Sequence, residues 1–158
     1  MTNYSLKAYN KEHMARAYGS SLNISTKYAV EVSRMIRGKK VSRAKAMLAA
    51  VIAKEKGVSF KRSYGDMAHQ REIGVGRFPV KCSIAILSLL ESAEKNAQFL
   101  GLDTSSLVVS GIVAHKATRV HRYGRKRGRV SKNTHMEIVL EETKKSEPKK
   151  EKKSGKKE

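Results

Sequence analysis

Apolar residues recur at helical spacing in three places along the chain. In the first, Tyr28, Ala29, Val32, Met35 and Ile36 follow Ser25 and stop at Gly38. Serine suits an N-cap and glycine suits the position past a helix end, so the spacing predicts a short amphipathic helix. In the second, from about residue 42 to 55, Ala44, Met47, Leu48, Val51 and Ile52 fall on one stripe, with Gly57 just beyond. The third and longest opens at Pro79, whose missing N–H has no intrahelical partner at a first helical position. Cys82, Ile86, Leu89, Leu90, Ala93, Ala97 and Leu100 line its face before Gly101. These three faces supply most of the available core.

From Leu107 the period shortens. "LVVSGIVAH" is rich in β-branched residues, and "HMEIVLEE" alternates Met136, Ile138 and Leu140 with Glu137, Val139 and Glu141. That alternation marks strands with one buried face. "YGRKRG", with Gly124 and Gly128, is the natural turn between them. Near the start, "ARAYGSSLNI" can supply a short strand weakened by Gly19, while the glycine-rich stretch 57–79 shows no period and reads as a long loop. The expected fold is α+β: three helices packed on a small antiparallel sheet, with a long β-hairpin over about 107–142 protruding from a single domain of residues 1–142.

Charge changes the picture. The 158 residues carry 34 Lys and Arg against 14 Asp and Glu, a net +20. A compact state with that much unopposed charge calls for a polyanionic partner, nucleic acid or an anionic membrane. The longest strongly apolar run, "AMLAAVIA", is far short of the ~18 to 20 residues that span a bilayer. The first residues lack a secretory signal pattern, which points to a cytoplasmic protein. The single Cys82 can form no internal disulfide. Residues 143–158 hold eight Lys and three Glu and no large apolar side chain, so a disordered tail is expected there.

The hairpin carries the densest charge. Across 114–132, Lys116, Arg119, Arg122, Arg125, Lys126, Arg127, Arg129 and Lys132 meet no acidic residue. An extended limb from 107 to 123 would reach ~55 Å at ~3.3 Å per residue, far beyond a compact body, and an isolated two-stranded ribbon is marginal in water. RNA is therefore expected to order it, with arginine favouring bidentate phosphate contacts. The competing account is a solvated charged loop. Further candidate RNA contacts are Arg37, Lys39, Lys40 and Arg43 in "RGKKVSR", then Lys61, Arg62, Arg77 and Lys81. The "RGKK" cations could equally serve the preceding helix by sitting near the negative end of its dipole. Charge on several sides suits folded RNA better than one face of a duplex.

Catalysis finds little support. His13, His69, His115, His121 and His135 form no metal-binding spacing, and Asp66, His69, Arg71 and Glu72 share a loop without an evident catalytic geometry. No metal or cofactor is expected. An architectural DNA-binding β-arm is the main rival, but such arms often carry an apolar or proline wedge at the tip, whereas only Tyr123 and Val130 flank these charges.

Three passages resemble the universal large-subunit ribosomal protein L twenty-two family in its archaeal and eukaryotic form. "IRGKKVSRAKAML" is similar to the family's IRGK-x-V-x-x-A-x-x-x-L junction, and "SAEKNAQFLGLDTSSLVV" to its passage from long helix into hairpin. "RGRVSKNTHMEIVL" resembles the return strand with its RGR tip. The stretch 57–79 looks like the insertion that bacterial members lack, and "GRKRGRV" lacks the proline and alanines of the PRA-x-GRA tip of many relatives. The resemblance implies a structural protein of the cytoplasmic large ribosomal subunit that binds large-subunit (23S-type) rRNA and takes part in assembly. It also implies a hairpin tip of Gly124, Arg125, Lys126, Arg127, Gly128 and Arg129 in the wall of the nascent-peptide exit tunnel. There the partners would be neighbouring ribosomal proteins, including the other protein of the tunnel constriction, and the nascent polypeptide.

Overall fold

A computed structural model describes residues 4–6 and 9–143. Six strands and three helices occur in the order β1 (Met14–Leu22), α1 (Thr26–Ile36), α2 (Val41–Ile52), β2 (Val58–Ser59), β3 (His69–Gln70), β4 (Gly74–Arg77), α3 (Val80–Phe99), β5 (Leu107–Lys116) and β6 (Thr134–Glu142). The architecture is α+β. The main sheet is antiparallel in the order β1-β6-β5. Helix α3 packs across β1 and β6, α1 lies on β5, and α2 is held against α3. Ile36, Leu48, Ile86, Leu90, Leu107, Ile112, Met136, Ile138 and Leu140 form the centre of the core between helices and sheet.

Element ends follow local chemistry with some shifts. Ser25 is the N-cap of α1, although its side chain makes no capping bond. Pro79 is the N-cap of α3 rather than its first helical residue. Helix α2 ends at Ile52, and the left-handed residue behind it is Lys54 (φ 63°), not Gly57. Leu100, assigned to the buried face of α3, is exposed; the chain turns there and Leu102 is buried instead. Strand β1 is nine residues long in spite of Gly19. A Cβ on Gly19 would lie 2.9 Å from Leu22 Cδ1, so the glycine leaves room for that side chain where the pairing with β6 is irregular between Gly19 and Leu22; Leu89 Cδ2 of α3 would be in ordinary contact at 3.5 Å.

Two parts depart from the sequence expectation. The stretch 57–79 contains a second antiparallel sheet in the order β2-β4-β3, not only a loop. Its strands are too short to show a period, and Gly76 sits where a Cβ would come within 2.6 Å of the Val58 carbonyl oxygen. The second departure is the face of β6 opposite the helices. Met136, Ile138 and Leu140 are buried as the alternation requires, but so are Glu137 and Val139. Residues 4–6 lie across that face, with Leu6 over Gly111 beside Val139 and Ser5 bonded to Glu137.

The regular ladder between β5 and β6 stops at Lys116 and Thr134, short of the extended limb expected to reach Tyr123. Past Ala117 the limbs have no buried apolar face to fix a continuous pairing. They stay together through the bonds Ala117 N–H to Asn133 O (3.1 Å), Ser131 N–H to Val120 O (2.9 Å) and Arg122 N–H to Arg129 O (3.0 Å). A 3-10 turn at Gly124–Lys126 closes the arm. The lysine-rich tail from residue 144 onward lies outside the described residues.

Candidate nucleic-acid interface

The arm displays its cations without competition. Lys116, Arg119, Arg122, Arg125, Lys126, Arg127, Arg129 and Lys132 are all exposed. Among the described residues the ion pairs are Arg34 with Glu31, Lys45 with Glu94, and His115 with Glu137, and no arm cation takes part. Three large apolar side chains stand among them: Tyr123 is 94%, Val120 61% and Val130 37% exposed. The tip residues 123–128 lie beyond the closing Arg122–Arg129 bond, with Arg127 N–H donating to Gly124 O at 3.2 Å.

The loop joining α1 and α2 brings Arg37, Lys39, Lys40 and Arg43 to the outer edge of β5. Gly38 N–H donates to Val109 O (2.8 Å), Val109 N–H donates to Lys39 O (2.9 Å), and the Arg37 guanidinium donates to Ile112 O (2.6 Å). Arg37 is therefore anchored through one nitrogen and exposed through the rest, while Lys39 is half-buried. Lys40 is itself the N-cap of α2, and Arg43 lies in its first turn. Near the C-terminus of α1 these cations suit the dipole, but at the start of α2 they add positive charge to an already positive end.

The same arrangement recurs. None of the three helices has an acidic residue in its first turn, and Lys27 and Lys81 stand in the first turns of α1 and α3. Helix N-termini with unsatisfied N–H groups and adjacent cations are suited to anions. Lys61, Arg62 and Arg77 are exposed on the second sheet and its approach. The Arg62 backbone N–H donates to Glu31 Oε1 (2.8 Å), and the Arg77 guanidinium donates to the Tyr28 hydroxyl (2.9 Å).

Two acids turn inward instead, and two histidines bond within the fold. Glu31 and Glu137 are each 1% exposed and act as internal acceptors, which leaves the surface more positive than the composition alone implies. His135 Nδ1 accepts from Ser21 N–H (3.1 Å) and its ring stacks on Tyr18. His115 Nε2 lies 2.9 Å from Ser5 Oγ. In the fold His135 fastens one edge of the sheet and His115 meets the segment that covers it. Among the described residues no group of three or more His, Cys, Asp or Glu could hold a metal ion, and no helix is long and apolar enough to cross a membrane.

Sequence reasoning also missed contributors. Arg16 is sandwiched between the rings of Tyr4 and Tyr9, at 3.9 and 4.3 Å from their centroids. Lys27, Tyr28 and Phe78 belong to hollows shared by arm and body. Only contacts distant in sequence create these groupings.

Comparison with known proteins gives one answer. A family model described as "Ribosomal protein L22p/L17e" matches residues 17–141. A "Large ribosomal subunit protein uL22" of Methanopyrus kandleri is 42% identical over 83% of this chain and 88% of its own length. Proteins of the same name from Nanoarchaeum equitans and Ignicoccus hospitalis are 41% and 37% identical, over 88% and 84% of this chain and 84% and 91% of their own lengths. With the match spanning sheet, helices and arm alike, the chain belongs to the ribosomal protein L22p/L17e family.

Proposed function

We propose that this chain, a structural protein of the large ribosomal subunit and not an enzyme, binds 23S-type rRNA through its arm and the cationic starts of its helices. The observation that carries this reading is the set of sixteen basic residues, fifteen exposed and Lys39 half-buried, that enter no ion pair among the described residues. They are Arg37, Lys39, Lys40, Arg43, Lys61, Arg62, Arg77, Lys81, Lys116, Arg119, Arg122, Arg125, Lys126, Arg127, Arg129 and Lys132. Phosphate contacts neutralise this charge, fix the body's orientation and order the arm. Binding in this way supports subunit assembly in the cytoplasm. The tip at Gly124, Arg125, Lys126, Arg127 and Gly128 then forms part of the exit-tunnel wall, next to a second ribosomal protein and the nascent polypeptide.

The test is sedimentation of a cell extract at moderate salt. The protein should travel with large subunits and resist a salt wash. Recovery as free protein, or mainly on chromosomal DNA, would overturn the reading.

A further inference from the structure

A cleft of about 550 Å³ lies between the arm and the body. Its apolar side is made by Tyr28, Phe78 and Pro79 of the body and Val130 of the arm, and Lys81, Arg122 and Lys132 stand around it. No acidic residue lines it. Tyr28 is fixed by the Arg77 bond to its hydroxyl and by edge-on packing against Phe60, with centroids 5.1 Å apart. A second hollow of about 350 Å³ shares Ser25 and Lys132 with the first and adds Lys27, Lys116 and Arg119, again with no acid. One hollow is therefore aromatic and apolar with a cationic border, and the adjoining one is polar and cationic.

We propose that the cleft holds a single unstacked nucleotide of rRNA, with its base against Tyr28 and Phe78 and a flanking phosphate in the hollow of Lys116, Arg119 and Lys132. Single-stranded RNA is recognised by splaying a base onto aromatic side chains while cations hold its backbone. The two hollows reproduce that division side by side. Because they adjoin, the occupant is a strand passing from one to the other rather than an isolated small anion. The volume lies in the range of ordinary ligand sites, about 300–1,000 Å³, and is too confined for a base-paired helix. The lining comes from α1, the segment leading into α3 and both limbs of the arm, so the bound nucleotide would also hold the arm against the body. This inference rests on the reading of the chain as an rRNA-binding protein.

A diazirine-bearing aliphatic residue placed at Val130, which is 37% exposed, tests it in full-length protein assembled into large subunits, with the same probe at Arg125 on the tip as reference. Irradiation should join position 130 to one rRNA nucleotide, unpaired and protected from base-alkylating reagents. Phe78→Leu, which keeps an apolar side chain but removes the ring, should raise that base's reactivity several-fold while the rest of the footprint persists. If that variant fails to assemble, Lys81→Ala, a change of an exposed side chain, should lower the crosslink yield at 130 several-fold. Crosslinks from 130 to protein, to scattered nucleotides or to a paired base would overturn the proposal, as would reactivity or yield unchanged by the variant tested. Crosslinks to rRNA from Arg125 but not from 130 would remove the cleft alone; absence of RNA from both would remove the rRNA-binding reading itself.

Discussion

Glu137 shows how one side chain can be misjudged from its neighbours in sequence. In an alternating strand it belongs on the solvent face, yet it accepts hydrogen bonds from Ser5 N–H, Ser5 Oγ and Leu6 N–H and is almost wholly buried. Glu137→Ala should leave those donors unsatisfied and cost about 1–3 kcal/mol, read as a lower denaturant midpoint in urea. Glu137→Gln, which keeps an acceptor, should lose less. Cys82 behaves differently because burial alone acts on its thiol. Burial pushes its thiol from 9.0 up to about 12. Below pH 9 both folded and unfolded chains keep the proton; above it the unfolded chain releases the proton and the folded chain does not. Stability should therefore fall as pH rises from about 9 toward about 12. A Cys82→Ser variant should lack this component of the pH profile, and the native thiol should react with a disulfide reagent at pH 8 only after unfolding.

At the scale of elements, β5 and β6 are parts of the domain up to Lys116 and Thr134, and the arm beyond them has a different character. The ladder shares a buried face with α1 and α3, whereas 118–130 is exposed throughout. In the isolated protein, amides of 118–130 should exchange with solvent within the dead time of a hydrogen-exchange experiment, apart from slowing at the bonded Arg122, Lys126, Arg127 and Arg129 amides. Those of 107–116 and 134–142 should be protected. Strong protection along the whole arm without RNA would contradict the claim that RNA orders it. The second sheet is held by its own close approach at Gly76. Gly76→Ala should separate β2 from β4 and increase proteolysis within 57–79 while leaving the helices protected.

For the whole molecule, internal acids and external cations separate charge between core and surface. RNA affinity should fall steeply with salt, and each phosphate contact removed should lessen the slope of log K against log salt by about 0.7 to 0.9. Replacing Arg125, Lys126, Arg127 and Arg129 with Gln, measured by filter binding to large-subunit rRNA across a salt series, should flatten that slope while thermal unfolding stays unchanged. An undiminished slope would place the electrostatic contacts elsewhere on the body.

Much of this was legible along the chain because it depends on local order. The stripes of Val32 and Ile36, of Leu48 and Val51, and of Ile86 and Leu90 specify helices through a 3.6-residue period. Met136, Ile138 and Leu140 specify a strand through a period of two, and the acid-free run from Lys116 to Lys132 marks where unopposed positive charge is densest. The remainder arises where residues far apart in sequence meet. Glu137 reads as a surface acid until Ser5 reaches it. The strands of 57–79 are too short to show a period and form through pairing alone. Tyr28, Phe78 and Val130 become one cleft only when the arm lies beside the body, because a sequence pattern records which face a residue takes on its own element and not which element comes to meet it.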